Sequence, residues 1–233
     1  VTEPGIEKQF QEIEEGIKSE ESFNPISLEQ LMGKEFPETK WVVEQLIPSE
    51  GIVAVSGMPS SYKTWLILDL AIKVAGGTEL FDKFYTKKCG VLLIDEETGE
   101  QWVKERIKQL SNRSDLPIYF EAKRAGFKLN DETVVGLIEY AKEYNIGLII
   151  FDSLVRIHTA EDENSSVQME DKVFRHFRKL TSAGITVIFT HHHRKTGPFQ
   201  KSNPAQDMRG SGDILAAVDC HLALARKGES VIV

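Results

Sequence analysis

From Gly51 onward the chain alternates short unbroken apolar runs with segments whose apolar residues recur at three- and four-residue spacing. The runs at 52–56, 90–95, 117–121, 147–152, 185–190 and 220–225 are rich in β-branched residues and predict six strands. Between them, Leu66, Ile67, Leu70, Ala71 and Val74 mark one helix, Val134, Leu137, Ile138 and Ala141 a second, and Val173, Phe174, Phe177 and Leu180 a third. Strands that are apolar at every position need cover on both faces, and helices alternating with them supply it. The expected class is therefore α/β, a mostly parallel sheet with helices on both faces. Ligands of such sheets bind beyond the carboxyl ends of the strands, so polar residues at strand ends are the first to inspect. Residues 1–24 are polar and weakly periodic, and are expected to form an acidic linker or peripheral helix ahead of a domain spanning 25–233.

Charge narrows the picture. The net charge of −8 argues against a broad basic face that coats duplex DNA. Residues 1–24 hold seven glutamates against Lys8 and Lys18, a net of −5, which leaves −3 over the remainder and is compatible with a local basic channel. No run of eighteen apolar residues occurs, and the N-terminus lacks the basic-then-apolar layout of a signal peptide, so no membrane association and a cytoplasmic location are expected. Cys89 and Cys220 lie far apart without a C-x-x-C partner, as reduced packed thiols do. The chain opens on Val and closes on ESVIV, a strand-like run, which suggests a piece of a longer protein.

The stretch SGMPSSYKTW carries the most specific chemistry. Gly57, then Met58, Pro59, Ser60, Ser61 and Tyr62, then Lys63 and Thr64 follow the phosphate-loop pattern G-x-x-x-x-G-K-[ST], except that Tyr62 stands where the second glycine belongs. The loop lies between an apolar strand and an amphipathic helix, the setting in which loop amides and the positive helix end cradle phosphates. Lys63 is then placed for the β and γ phosphates and Thr64 for Mg²⁺. A side chain at Tyr62 is accommodated if φ is negative and the ring points into open space.

Three further strand ends add polar groups. LIIFDS ends in Asp152, the layout of a Walker B aspartate that serves Mg²⁺ beside Thr64. VLLIDEETGE ends in Asp95, Glu96 and Glu97, where a carboxylate can orient the water that attacks a γ-phosphate, or cap the helix that follows. VIFTHHHRKTG ends in His191, His192 and His193, whose alternating directions keep all three from one metal but leave one free to sense a phosphate. The Pro/Gly/Ser/Asn-rich segment after them carries Arg194, Lys195 and Lys201, a basic loop of the length that function often explains.

The order of these motifs resembles the RecA-like P-loop ATPase core and, within it, the hexameric replicative helicases of the RepA and DnaB types, over about residues 38–230. The tail DMRGSGDILAAVDCHLALARKGE is similar to their R-G/E-S-G segment, a short helix, an acidic residue and a strand ending in Arg. The resemblance implies an ATP- and Mg²⁺-dependent motor that forms a homo-hexamer or another ring, translocates on single-stranded DNA and is fused to or associated with a primase. It assigns Lys63 and Thr64 to the phosphate loop, Glu97 (with Glu96 as second candidate) to water activation, and Asp152 to Walker B. His191 or His192 becomes the sensor. Arg226, with Lys227 beside it, becomes an arginine finger reaching a neighbouring subunit's nucleotide. Arg209 belongs to the R-G-S-G signature, and the loops after Asp152 and His193 are placed to grip DNA. Two other readings share the core: a recombination or regulatory ATPase of the RadA or KaiC kind, and a nucleotide-binding scaffold that has lost turnover through Tyr62.

Overall fold

A computed structural model describes residues 25–36, 38–122, 126–193, 212–227 and 230–233. The chain divides into two compact units, Val1–Glu38 and Thr39–Val233. In the first, Ser27 caps helix α1 (Leu28–Met32) by accepting from Gln30 N, while the Gln30 side chain accepts from Ser27 N, which satisfies two otherwise orphaned amides.

The second unit opens with a small antiparallel pair, β1 (Trp41–Val43) and β2 (Ile47–Pro48). Its main sheet then takes β3 (Ile52–Gly57), β4 (Gly90–Asp95), β5 (Ile118–Glu121), β6 (Ile146–Asp152), β7 (Thr186–His192), β8 (Cys220–Lys227) and β9 (Ser230–Ile232). The order across the sheet is β5-β4-β6-β7-β3-β8-β9, parallel except for the β8–β9 pair. All six expected strands are present, and β7 and β8 run two residues further than their apolar patterns, into His192 and Lys227.

Two cores explain the unbroken apolar runs. One face carries Ile52, Ala54, Leu92, Ile94, Ile149, Phe151, Val187 and Phe189. It is covered by α4 (Asp131–Glu143) and by a continuous helical stretch built of α6 (Ser166–Met169), a π turn (Glu170–Phe174) and α7 (Arg175–Ser182). Phe177 stacks between Phe151 and Phe189 there, with ring centroids 5.4 and 5.7 Å apart. The other face carries Val53, Val55, Val91, Leu93, Leu148, Ile150 and Ile188 beneath α2 (Lys63–Gly76) and α3 (Glu100–Leu110). Short helices α5 (Leu154–Ile157) and α8 (Gly212–Ala216) complete the described elements. Among the described residues, no helix is long and apolar enough to cross a membrane.

Parallel register brings the chemistry-bearing strand ends to one edge. Gly57 sits opposite His192 on one side and Leu224 on the other, and Asp95 sits opposite Asp152. Just below this edge Ser56 Oγ lies 2.7 Å from His193 Nε2 and 2.6 Å from His221 Nε2, tying β3 to the chain on both sides.

Candidate nucleotide-binding site

The loop from Gly57 to Tyr62 turns β3 into α2. Gly57 has to be glycine: a Cβ there would lie 2.4 Å from Ser61 Oγ and 2.8 Å from the Leu224 carbonyl. Lys63, 7% exposed, folds back over the loop and donates to the Gly57 and Met58 carbonyls, each at 3.0 Å. Burial lowers its pKa, while the charges of Asp152 and Glu97 oppose the shift. The first turn of α2 contains no acidic residue, so the positive helix end is left for an anion. Buried Ser61 Oγ has no hydrogen-bond partner among the described residues, the condition of a group kept for a ligand.

Tyr62 corrects an expectation. Its φ is +68°, in the left-handed region, rather than negative. The loop therefore keeps the backbone shape that the usual glycine supplies and imposes it on a tyrosine, at a cost of about 1–2 kcal/mol. The ring does point outward, 43% exposed, and the guanidinium of Arg226 lies 5.7 Å from its centroid.

Asp152 stands beside the loop. It accepts from Thr64 Oγ1 at 2.9 Å and from Thr190 Oγ1, and it is 2% exposed. Desolvation raises its pKa to about 6 against the two threonine hydrogen bonds, and nearby Asp95 and Glu97 add to the rise. A buried carboxylate paired with the P-loop threonine is a donor set suited to a hard cation, and a divalent ion would offset the desolvation, and the lesser repulsion from Asp95 and Glu97, that hold its pKa up.

The acidic run divides its labour. Asp95 Oδ1 accepts from the amides of Glu97 and Thr98, at 2.8 and 2.6 Å, and shapes the turn. Glu96 accepts instead from the amides of Gly126 and Phe127, at 3.0 and 3.1 Å. Glu97 lines the pocket. The neighbouring His192 imidazole, together with Ser153 and Lys63 and against the effect of burial, holds the Glu97 carboxyl at about 2. The two side chains are 3.8 Å apart, an ion-pair distance that counts as one when the imidazole is protonated. The N-cap of α3 is Gly99, without a side-chain cap, and Glu100 is the acidic residue of its first turn.

The histidines alternate as strand geometry requires: His192 lines the pocket, His193 pairs with Ser56 on the opposite face, and His191 is 1% exposed on that same face. Arg226 lines the pocket of its own chain, because β8 runs parallel to β3 and ends over the loop. Lys227 is exposed and pairs in register with Ser230. Arg194, Lys195, Lys201 and Arg209 lie outside the described residues.

Ser60 to Trp65, Glu97, Arg106, Asp152, His192 and Arg226 enclose a cavity of about 350 Å³. Arg106 and Trp65 escape motif reading. Arg106 lies 5.8 Å from the Trp65 ring centroid and donates to Thr98 Oγ1 at 3.3 Å. Their signal is only an i, i+9 spacing from Glu97 and adjacency to the P-loop, which means little until α3 packs beside α2.

Comparison with known proteins agrees with this geometry. No curated protein matches the chain. Among solved structures, one titled as an ATPase domain superposes with a TM-score of 0.58 at 17% identity, over 98% of this chain and 87% of that one. At that identity the likeness speaks to the fold, a RecA-like P-loop core. The sequence itself matches the AAA domain family over residues 18–198, a span that includes the P-loop, the acidic turn, Asp152 and all three strand-end histidines, and the chain belongs to that family.

Proposed function

We propose that this domain is the ATP-hydrolysing motor of a RepA/DnaB-like replicative DNA helicase that works as a ring and translocates on single-stranded DNA. The observation that carries the ATPase half is the convergence of Lys63, Thr64, Asp152, Glu97 and His192 on one cavity at the carboxyl edge of the sheet. The R-G-S-G tail and the basic segment after His193 support the DNA-motor half.

In this reading Lys63 exchanges its two loop carbonyls for phosphate oxygens, and Thr64 and Asp152 hold Mg²⁺. When bound, the metal supplies charge neutralisation on the β and γ phosphates. Glu97, ionised because its carboxyl titrates at about 2, orients a water by accepting its hydrogen bond, and His192 beside it restrains the carboxylate and senses the reacting end of the pocket. Asp152 must ionise to hold the metal, so kcat/KM, which reports the free enzyme, rises with pH through the region near 6. The cationic walls of the pocket supply electrostatic stabilisation, which together with positioning accounts for most of the catalysis in phosphoryl transfer. Phosphate release measured with and without single-stranded DNA tests the reading. Stimulation by DNA is expected; DNA-independent turnover would favour a regulatory ATPase, and none at all a scaffold.

A further inference from the structure

We propose that Trp65 is the residue that recognises the base of the nucleotide, its indole serving as a stacking platform that favours purine over pyrimidine nucleoside triphosphates. The inference rests on the reading of the pocket as an ATPase site and names what that site selects.

Three observations carry it. First, the cavity divides by chemistry. Ser61, Lys63, Thr64 and Asp152 suit phosphates and a cation, and Glu97 and His192 stand at the reacting end. A heterocyclic base finds no flat apolar face among these groups, and the aromatic side chains that the described residues contribute to the cavity wall are Tyr62 and Trp65. Second, core packing does not account for the indole. Trp65 belongs to neither hydrophobic core, although the next two residues, Leu66 and Ile67, both pack into the one beneath α2. It stays half-buried in the first turn of that helix, whose end is free for phosphate, and lines the cavity from there. Third, the ring is held. The Arg106 guanidinium lies over it, 5.8 Å from the centroid, and is itself anchored on α3 by donating to Thr98 Oγ1 at 3.3 Å. A cation on one face restrains the indole through the ring's quadrupole and leaves the other face for a ligand. The Tyr62 ring, 43% exposed, points away from the loop. Stacking on an aromatic face accepts any base, because every base has a π face, but it grows with overlap. A two-ring purine on a two-ring indole therefore gains more than a one-ring pyrimidine.

The test is kcat/KM for ATP, GTP, CTP and UTP, measured with saturating single-stranded DNA on the parent chain, Trp65→Leu and Trp65→Phe. The parent favours the two purine nucleotides by about fivefold. Trp65→Leu, which keeps apolar bulk without a π face, lowers kcat/KM for ATP and GTP by about tenfold and for CTP and UTP by less, so the preference collapses. Trp65→Phe keeps part of it. An indole that only packs α2 against α3 would give a different result: the leucine variant would lower all four nucleotides by one factor and leave the preference intact, which would overturn the proposal. So would a parent that does not distinguish purines from pyrimidines, or a collapse produced by Tyr62→Leu and not by Trp65→Leu. A second measurement leaves Trp65 in place. With the other two tryptophans replaced, Trp41→Phe and Trp102→Phe, Trp65 alone emits; a non-hydrolysable ATP analogue quenches it, and inorganic tripolyphosphate, at a concentration that inhibits ATP turnover, does not. Equal responses to the two, or none to the analogue, would overturn the assignment. Lys63→Ala separates the two levels. If it turns over ATP like the parent, the ATPase reading of the pocket fails; if it is inactive while Trp65→Leu keeps the parent's purine preference, only the recognition role fails.

Discussion

Replacing Asp152 with asparagine should stabilise the nucleotide-free protein while abolishing its Mg²⁺-dependent turnover. The carboxyl is 2% exposed and titrates at about 6 instead of the ordinary 3.8. At 1.36 kcal/mol per pH unit, that displacement is a penalty of about 3 kcal/mol on the folded state once the group is ionised. The sign follows from the direction: a carboxyl whose folded pKa is raised contributes its stability below about pH 4 and loses it as the pH rises through about 6. Asparagine never ionises, but it offers one acceptor oxygen where Thr64 and Thr190 donate to two, which takes back about 1 kcal/mol. The net gain near pH 7.5 is about 2 kcal/mol, or about 4–8 °C in Tm for a chain of this size. Urea unfolding in EDTA, without nucleotide, measures it. Between about pH 7.5 and pH 5 the parent regains about 1.4 kcal/mol from this group and the variant none, so the gap between them must narrow. A variant less stable than the parent at neutral pH, or a gap indifferent to pH, would refute the account of Asp152 as a desolvated carboxylate poised for a cation.

Two other outcomes follow from the same geometry. Glu97→Gln should lower phosphate release by about 10² to 10⁴ while a fluorescent ATP analogue still binds, whereas Glu96→Gln should act mainly on the melting temperature, by weakening the hold on the Gly126 and Phe127 amides, and far less on rate. Substituting Arg194, Lys195 and Lys201 together with alanine should weaken single-stranded DNA binding and flatten its salt dependence by about 0.7 in log–log slope per lost phosphate contact; fluorescence anisotropy across a salt series would expose unchanged affinity and slope.

The sheet was legible because burial on both faces writes the same signature at every position: 52–56, 90–95 and 147–152 are apolar nearly throughout, and each is a central or next-to-edge strand. The β1–β2 pair was not, since three and two residues are too few to show a period. The π turn at Glu170–Phe174 left no trace either, because Val173, Phe174, Phe177 and Leu180 satisfy helical spacing with or without it. At the site, Gly57, Lys63, Thr64 and Asp152 could be read because strand-to-helix loops and strand ends are local. The choice between Glu96 and Glu97 could not, because it depends on where the amides of Gly126 and Phe127, about thirty residues on, come to rest. Tyr62 shows the limit most clearly. Its identity argued for negative φ, but the demands of the loop prevailed over the preference of the residue, and its contact with Arg226 is created by strand pairing across more than 160 positions.

Whether the cavity around Lys63 hydrolyses ATP is tested most directly by phosphate release from Mg²⁺-ATP, measured for the parent and for Lys63→Ala, each with saturating single-stranded DNA. Lys63 makes its hydrogen bonds to loop carbonyls and stands at the first position of α2, so the variant should remain folded by circular dichroism. Turnover is predicted in the parent, with its loss in Lys63→Ala. A folded Lys63→Ala protein that releases phosphate at the parent's rate would contradict the assignment.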